Sequence, residues 1–226
     1  MPSMRFLWAA GPAAQFDNTC IYNCAFGRIN SVEAFSECLY VLMCGTGFGF
    51  SVETEEVEKL PTVPEIKSAL GNPKTIIADS KAGWADSVKI LMNSLYEGQN
   101  IYFDYSEIRP EGARLNTMGG RASGPQPLVK LHDFIRETMH NAQGRKLTTL
   151  EAHDICNQIA EIVVVGGVRR SSQISLSAAQ SKAPSRRYAP LIQGTNPCGE
   201  IMLRDMQFCN LSEVVIREDD DLDSLL

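Results

Sequence analysis

Four stretches of helical periodicity, separated by short strand-like runs, restrict the fold of this chain more than any other feature. Val32, Phe35, Leu39 and Leu42 recur at helical spacing after an Asn30-Ser31 cap, and Trp84, Val88, Leu91 and Leu95 do so between Asp79-Ser80 and Gly98. Leu128, Leu131, Ile135 and Met139 mark a third helix over 127–141. The fourth opens on a capping box, Thr148 with Glu151, and runs through Ile155, Ile159 and Ile162 to Gly166-Gly167. Residues 48–53, 75–78, 100–106, 173–177 and 208–216 read as strands, and 1–11 as a short element with Ser3 near a helix start. Such alternation implies an α/β architecture with a largely parallel sheet, whose polar loops gather at one end and build the site.

The bulk numbers agree with this class. A chain of 226 residues, 44% hydrophobic and 21% charged, suits a soluble globular protein with one generous core or two small ones. Its net charge of −6 argues against nucleic acid as the main partner, but leaves room for a small anion in a local basic pocket. The longest apolar run, 159–168, falls short of the ~20 residues a bilayer needs, and no cleavable signal is visible. No membrane partner and a reducing cytoplasm are therefore expected, where seven cysteines act as buried thiols, metal ligands or redox groups.

The densest chemistry is in Gly194-Thr195-Asn196-Pro197-Cys198-Gly199-Glu200-Ile201, followed by Phe208-Cys209-Asn210-Leu211. If the segment is extended, residues 196, 198 and 200 point the same way and bring an amide, a thiol and a carboxylate together. A surface turn around a buried structural cysteine is the plainer alternative. Cys20 and Cys24 offer half of a metal site, with Cys198 and Cys209 as the other half, although that second spacing is long for zinc. Cys38 falls among the apolar positions of its helix and belongs in the core.

Cys44-Gly45-Thr46-Gly47-Phe48-Gly49-Phe50 leads into a strand, the reverse of a dinucleotide fingerprint. Its glycines allow close approach of a ligand or of another strand, and both readings stay open. Arg109, Arg114 and Arg121 with Gly112, Gly119, Gly120 and Gly124 have the composition of an anion loop, as do Arg169-Arg170-Ser171-Ser172; an exposed loop is the alternative in each case. A hydroxyl at Ser3 beside free helix amides suits a phosphate, or simply caps the helix. His132, His140 and His153 stand singly and read as surface or satisfied side chains. The acidic run 53–59, followed by Pro61 and Pro64, reads as a solvated connector, and 178–193 has a linker's composition.

Taken together, these segments resemble the catalytic chain of ribonucleotide reductases, nearest to the class II, adenosylcobalamin-dependent ribonucleoside-triphosphate branch. The carriers are Pro2-Ser3-Met4-Arg5, Tyr22-Asn23-Cys24-Ala25-Phe26, residues 44–50, Asp79-Ser80-Lys81-Ala82-Gly83-Trp84, residues 119–125 and 166–171, and Asn196-Pro197-Cys198-Gly199-Glu200. The resemblance implies part of a ten-stranded α/β barrel with a central cysteine finger loop. It divides the chain into 1–177, with the effector loops, a linker-like 178–193, and 194–226 with the finger loop and the next strand.

The resemblance also implies roles. Cys198 carries a thiyl radical that removes the ribose 3′-hydrogen, Glu200 takes the 3′-hydroxyl proton, and Asn196 holds the ribose hydroxyls. Cys24 and Cys209 supply two electrons and become a disulfide. Ser3, Asn23, Cys44 and Gly45 bind substrate; Arg109, Arg114, Gly119, Gly120, Arg169 and Arg170 belong to loops that sense a deoxynucleotide effector. Adenosylcobalamin is the implied cofactor, and a ribonucleotide, a thioredoxin-like dithiol and a complementing C-terminal chain are the implied partners in deoxyribonucleotide synthesis for DNA replication. Family members carry a longer segment before the Asn196 loop and a second half-barrel after Cys209, and Lys and Phe where this chain has Asn116 and Met118. A nucleotide-binding module without turnover is the other functional class these departures leave open.

Overall fold

The computed structural model describes residues 3–67, 75–115, 120–163, 171–176 and 194–212. The expectations for Gly119, Arg169, Arg170, the 178–193 linker and the chain after 212 fall outside them. The described elements follow the order α1 (Met4–Ala9), α2 (Pro12–Phe16), a 3-10 turn (Asn18–Ile21), β1 (Cys24–Arg28), α3 (Val32–Met43), β2 (Gly47–Ser51), α4 (Thr54–Val57) and β3 (Thr75–Ile76). Then come α5 (Lys81–Tyr96), β4 (Phe103–Asp104), α6 (Gln126–Asn141), α7 (Thr149–Ile162), β5 (Gln173–Leu176), β6 (Gly194–Thr195), β7 (Met202–Leu203) and β8 (Gln207–Cys209).

The caps that set these boundaries are those the sequence announces. Ser3, Ser31 and Ser80 each accept a hydrogen bond from the backbone N–H three residues on, and Thr148 and Glu151 complete a reciprocal capping box. Gly98, at φ 75°, turns the chain out of α5 in a conformation that costs a side chain about 1–2 kcal/mol.

The largest sheet has the order β5-β2-β1-β8. β5, β2 and β1 run parallel, with Cys24 opposite Gly47 and Phe48 opposite Gln173. β8 is antiparallel to β1 and sets Cys209 opposite Cys24. Two-stranded pairs, β3 with β4 and β6 with β7, complete the described strands. The molecule is therefore a mixed α/β structure with parallel pairing at its centre.

Alternation along the strands divides the core in two. Ala25, Phe48 and Phe50 face α3, α5, α6 and α7, among Phe35, Leu39, Leu91, Leu131 and Ile159, all buried. Cys24 and Phe26 point the other way and pack with Leu203 and Cys209. Burying each large side chain contributes about 1.5–3 kcal/mol, so the four-helix face carries most of the stability.

Several local expectations change. The 53–59 run is not a solvated connector: it forms α4, with Glu56 and Val57 buried. The reason is charge pairing, since Glu56 meets Arg28 at 3.2 Å and Lys59 at 2.7 Å, and accepts from Asn30 at 3.1 Å. The strand over 100–106 shrinks to β4, because Arg136 takes the Asn100 side chain and the Ile101 carbonyl. His132 is a fully buried, satisfied histidine, bridging Ser87 Oγ at 3.0 Å and Tyr105 Oη at 2.7 Å. No described helix is long and apolar enough to cross a membrane.

Candidate functional site

The polar residues gather at the amino ends of the parallel strands, the reverse of the carboxyl-end rule for open α/β sheets. Asn23 immediately precedes β1 and Gly45 precedes β2, while the antiparallel β8 brings its carboxyl end, Cys209-Asn210, to the same edge. α1 closes this edge from outside. Its cap Ser3 donates to Asn210 Oδ1 at 2.9 Å, and Asn23 Oδ1 accepts from the Leu211 N–H at 3.4 Å.

Cys24 and Cys209 are the central pair. Opposite residues on antiparallel strands sit about 4.5–5.5 Å apart at Cα, within the ~4.4–6.8 Å a disulfide spans. Both are buried thiols. Burial pushes the Cys209 thiol above its usual range and the Glu200 charge adds to this, against hydrogen bonds from Cys24 and Asn196. Cys209 therefore stays protonated at neutral pH.

The Asn196 segment is not extended. Asn196 N–H donates to the Ile201 carbonyl at 3.1 Å, and the Gly199 N–H returns to the Asn196 carbonyl at 2.9 Å, closing a turn with Pro197 and Cys198 at its corners. Pro197 sets the first corner dihedral and Gly199 takes φ 82° just after the turn. Asn196, Cys198 and Glu200 consequently do not share one side. Asn196 is fully buried; its Oδ1 accepts from the Ile201 N–H at 3.1 Å and its Nδ2 reaches Cys209 Sγ at 3.7 Å. Cys198 and Glu200 ride exposed on the turn, and Cys198 is the single exposed cysteine of the seven.

Two glycines let this turn lie on the sheet. A Cβ on Gly47 would stand 3.1 Å from Pro197 Cγ and 3.5 Å from Cys24 Sγ, and one on Gly49 would collide with the Thr195 carbonyl oxygen. The glycine-rich strand is thus a bed for the β6–β7 hairpin, which places Pro197 beside Cys24 and Asn196 beside Cys209.

Cys44 and Gly45 stand where β2 begins, with their amides already engaged by the Tyr40 and Leu42 carbonyls at 3.0 and 2.8 Å. Arg109 lies away from these cysteines in sequence and pairs with Asp79 at 2.6 Å. Arg114 and Arg121 form a backbone bridge, closed by Leu115 N–H to the Gly120 carbonyl at 3.0 Å, with Gly120 at φ 87°. No group of three or more His, Cys, Asp or Glu among the described residues is arranged to hold a metal, and of Cys20, Cys24, Cys198 and Cys209 only Cys198 is exposed. Two clefts, one where α3 and α5 meet β8 and one beside the start of α6, do not include Cys198. None of the described residues is assigned to hold a cofactor. Asn210, Asp17, Arg5 and Lys81 were not singled out as site residues from the sequence; only contacts across the fold reveal them.

Comparison with known proteins reaches the same family. The family described as "B12-dependent ribonucleotide reductase, insertion domain" matches residues 71–139. The adenosylcobalamin-dependent ribonucleoside-triphosphate reductase of Euglena gracilis is 32% identical over 80% of this chain, and 26% of that protein is covered. The protein of the same name from Levilactobacillus brevis is 27% identical, over 94% of this chain and 44% of its own length. A crystal structure of a B12-dependent (class II) ribonucleotide reductase superposes with a TM-score of 0.74 at 22% identity, covering 90% of this chain and 44% of the other, and shows a shared fold. The chain therefore resembles class II ribonucleotide reductases over most of its length, and spans under half the length of these relatives.

Proposed function

We propose that this chain carries the radical cysteine and the reducing cysteine pair of an adenosylcobalamin-dependent ribonucleotide reductase, within part of a ten-stranded α/β barrel. The observation that carries the reading is the meeting of three separate segments: Cys24 opposite Cys209, with Asn196 of the Cys198 turn hydrogen-bonded to Cys209. The names of the relatives point to a ribonucleoside triphosphate as substrate.

In this reading Cys198, as a thiyl radical, takes the 3′-hydrogen of the ribose. Glu200 accepts the 3′-hydroxyl proton, which eases loss of the neighbouring 2′-hydroxyl as water. Asn196 is the contact to the ribose hydroxyls in this reading, and without substrate its amide is held by the Ile201 N–H and Cys209 Sγ. Cys24 and Cys209 deliver two electrons and two protons, and their sulfurs join in a disulfide. The net change is ribonucleotide plus dithiol to deoxyribonucleotide, disulfide and water. Adenosylcobalamin, when bound, supplies the radical chemistry that no ordinary side chain starts.

Ser3, Asn23, Cys44 and Gly45 hold the substrate at the amino ends of β1 and β2. The loops with Arg109, Arg114, Gly119, Gly120, Arg169 and Arg170 take a deoxynucleotide effector, and a thioredoxin-like dithiol regenerates the cysteine pair. The test is deoxyribonucleotide formation that requires adenosylcobalamin and a dithiol. Cys198→Ala abolishes it; full activity in that variant removes Cys198 from the mechanism.

A further inference from the structure

Between the start of α5 and the loop before β2, a carboxylate that the proposed chemistry leaves unused gathers four donors. Asp17 Oδ2 accepts from Lys81 Nζ at 2.6 Å, Tyr40 Oη at 2.9 Å and the Cys44 thiol at 3.1 Å, and Oδ1 accepts from the Thr19 N–H at 3.0 Å. Lys81 Nζ also donates to Cys44 Sγ at 3.2 Å and stands 5.7 Å from the centre of the Tyr40 ring. The other side of the loop is equally tied. The Cys44 carbonyl accepts from Arg5 Nη2 at 2.9 Å, Thr46 Oγ1 donates to the Thr19 carbonyl at 2.9 Å, and the Gly47 N–H donates to the Asn23 carbonyl at 3.0 Å.

The charges in this cluster are fixed by its burial and pairing. Against the upward push of burial, hydrogen bonds from Lys81, Cys44, Thr19 and Tyr40 hold the Asp17 carboxyl well below the usual carboxylate range. Burial, with the Asp17 charge beside them, pushes the Cys44 thiol and the Tyr40 phenol each up to about 12. At neutral pH the cluster is one ion pair with two neutral donors. Removing Lys81 leaves the nearly buried Asp17 carboxylate without its counter-charge.

We propose that Lys81 and Asp17 are positioning residues that set the Cys44–Gly45 loop against Asn23, transmitting the placement of the 71–139 segment to the substrate side of the sheet. Lys81 is the first residue of α5, inside that segment, and Asp17 and Cys44 are outside it. The pair is therefore a direct side-chain tie from the insertion-domain match to the loop. Its effect on substrate rests on the nucleotide reading of Cys44, Gly45 and Asn23.

The test compares Lys81→Met, Asp17→Asn, Lys81→Arg and the Lys81→Met/Asp17→Asn double variant, first by iodoacetamide labelling of individual thiols and then by ribonucleotide kinetics. Cys38 and Cys156, sealed in the helical core, report any general loosening. Both single variants are expected to speed Cys44 labelling about tenfold or more while Cys38 and Cys156 stay protected, and Lys81→Arg to retain protection. The double variant is no worse than the worse single, because each removes the same interaction. In turnover, KM for the ribonucleotide rises about tenfold with kcat within about threefold, since Cys198, Cys24 and Cys209 are untouched. If Lys81→Met also exposes the two core thiols, the isosteric Asp17→Asn decides the question. Cys44 as protected as in the parent, or a fall in kcat with KM unchanged, overturns the proposal. A parent without turnover counts against the reductase reading, and the labelling alone then decides the positioning.

Discussion

Replacing Gly49 by alanine isolates the contact that seats the Cys198 turn on the sheet. The added Cβ would run into the Thr195 carbonyl oxygen and stand 3.3 Å from both the Thr195 carbonyl carbon and Phe26 Cδ2. A main-chain carbonyl has no rotamer with which to move aside, so the strain sits near the upper end of the ~1–3 kcal/mol typical of overpacking. Lower entropy of the unfolded chain returns about 0.4–1 kcal/mol. The net loss is about 2 kcal/mol, a large share of the ~5–15 kcal/mol by which domains are stable.

With an m-value of about 2 kcal/mol per M, urea unfolding should shift its midpoint down by about 1 M at unchanged slope. Because the strain lifts β6–β7 from β2, Cys24 and Cys209 should also react faster with a thiol reagent under native conditions. Gly199→Ala is the control: nothing lies within 4 Å of its Cβ, and only its φ of 82° is strained, at about 1 kcal/mol. A Gly49→Ala midpoint within about 0.2 M of the parent, with unaltered thiol rates, would refute the seating of the hairpin on this glycine.

Thr148→Ala should cost about 1 kcal/mol, because it removes the hydroxyl that accepts from the Glu151 N–H at 3.2 Å; urea titration checks this, and no change would deny the cap. Burial first, then the Arg136 charge, push His132 down to about 3, against about 6.5 in an unfolded chain. Between those values the unfolded state holds a proton the native state lacks, so stability falls as pH drops from about 6.5 to 3 and is level above. The slope from this group approaches about 1.4 kcal/mol per pH unit, and His132→Gln should remove one proton from it. Mild oxidation should lower the mass of the 24/209 peptide pair by two hydrogens; a parent that forms no such disulfide while Cys24→Ser behaves identically would set the dithiol role aside.

The four long helices were legible because each carries its own signals. Ser31, Ser80 and Thr148 bond within one turn, and the apolar spacing needs no partner to be read. Strand ends and burial were less so. Glu56 looks solvated among Glu53, Glu55 and Glu58, and Arg28 of β1 with Asn30 just after it join the neighbouring Lys59 to make its burial tolerable.

The site divides along the same line. By itself the sequence determined the α/β class, the helical core, and a cysteine inventory whose order resembles ribonucleotide reductases. Only the tertiary structure decided that Cys24 faces Cys209, that the Cys198 segment is a turn and not a strand, and that Gly47 and Gly49 exist to receive it. Propensity, capping and periodicity act over a few neighbouring residues. Register between strands, the packing of a hairpin on glycines, and the meeting of Asp17 with Lys81 join residues far apart in the chain, and a local pattern carries no record of them.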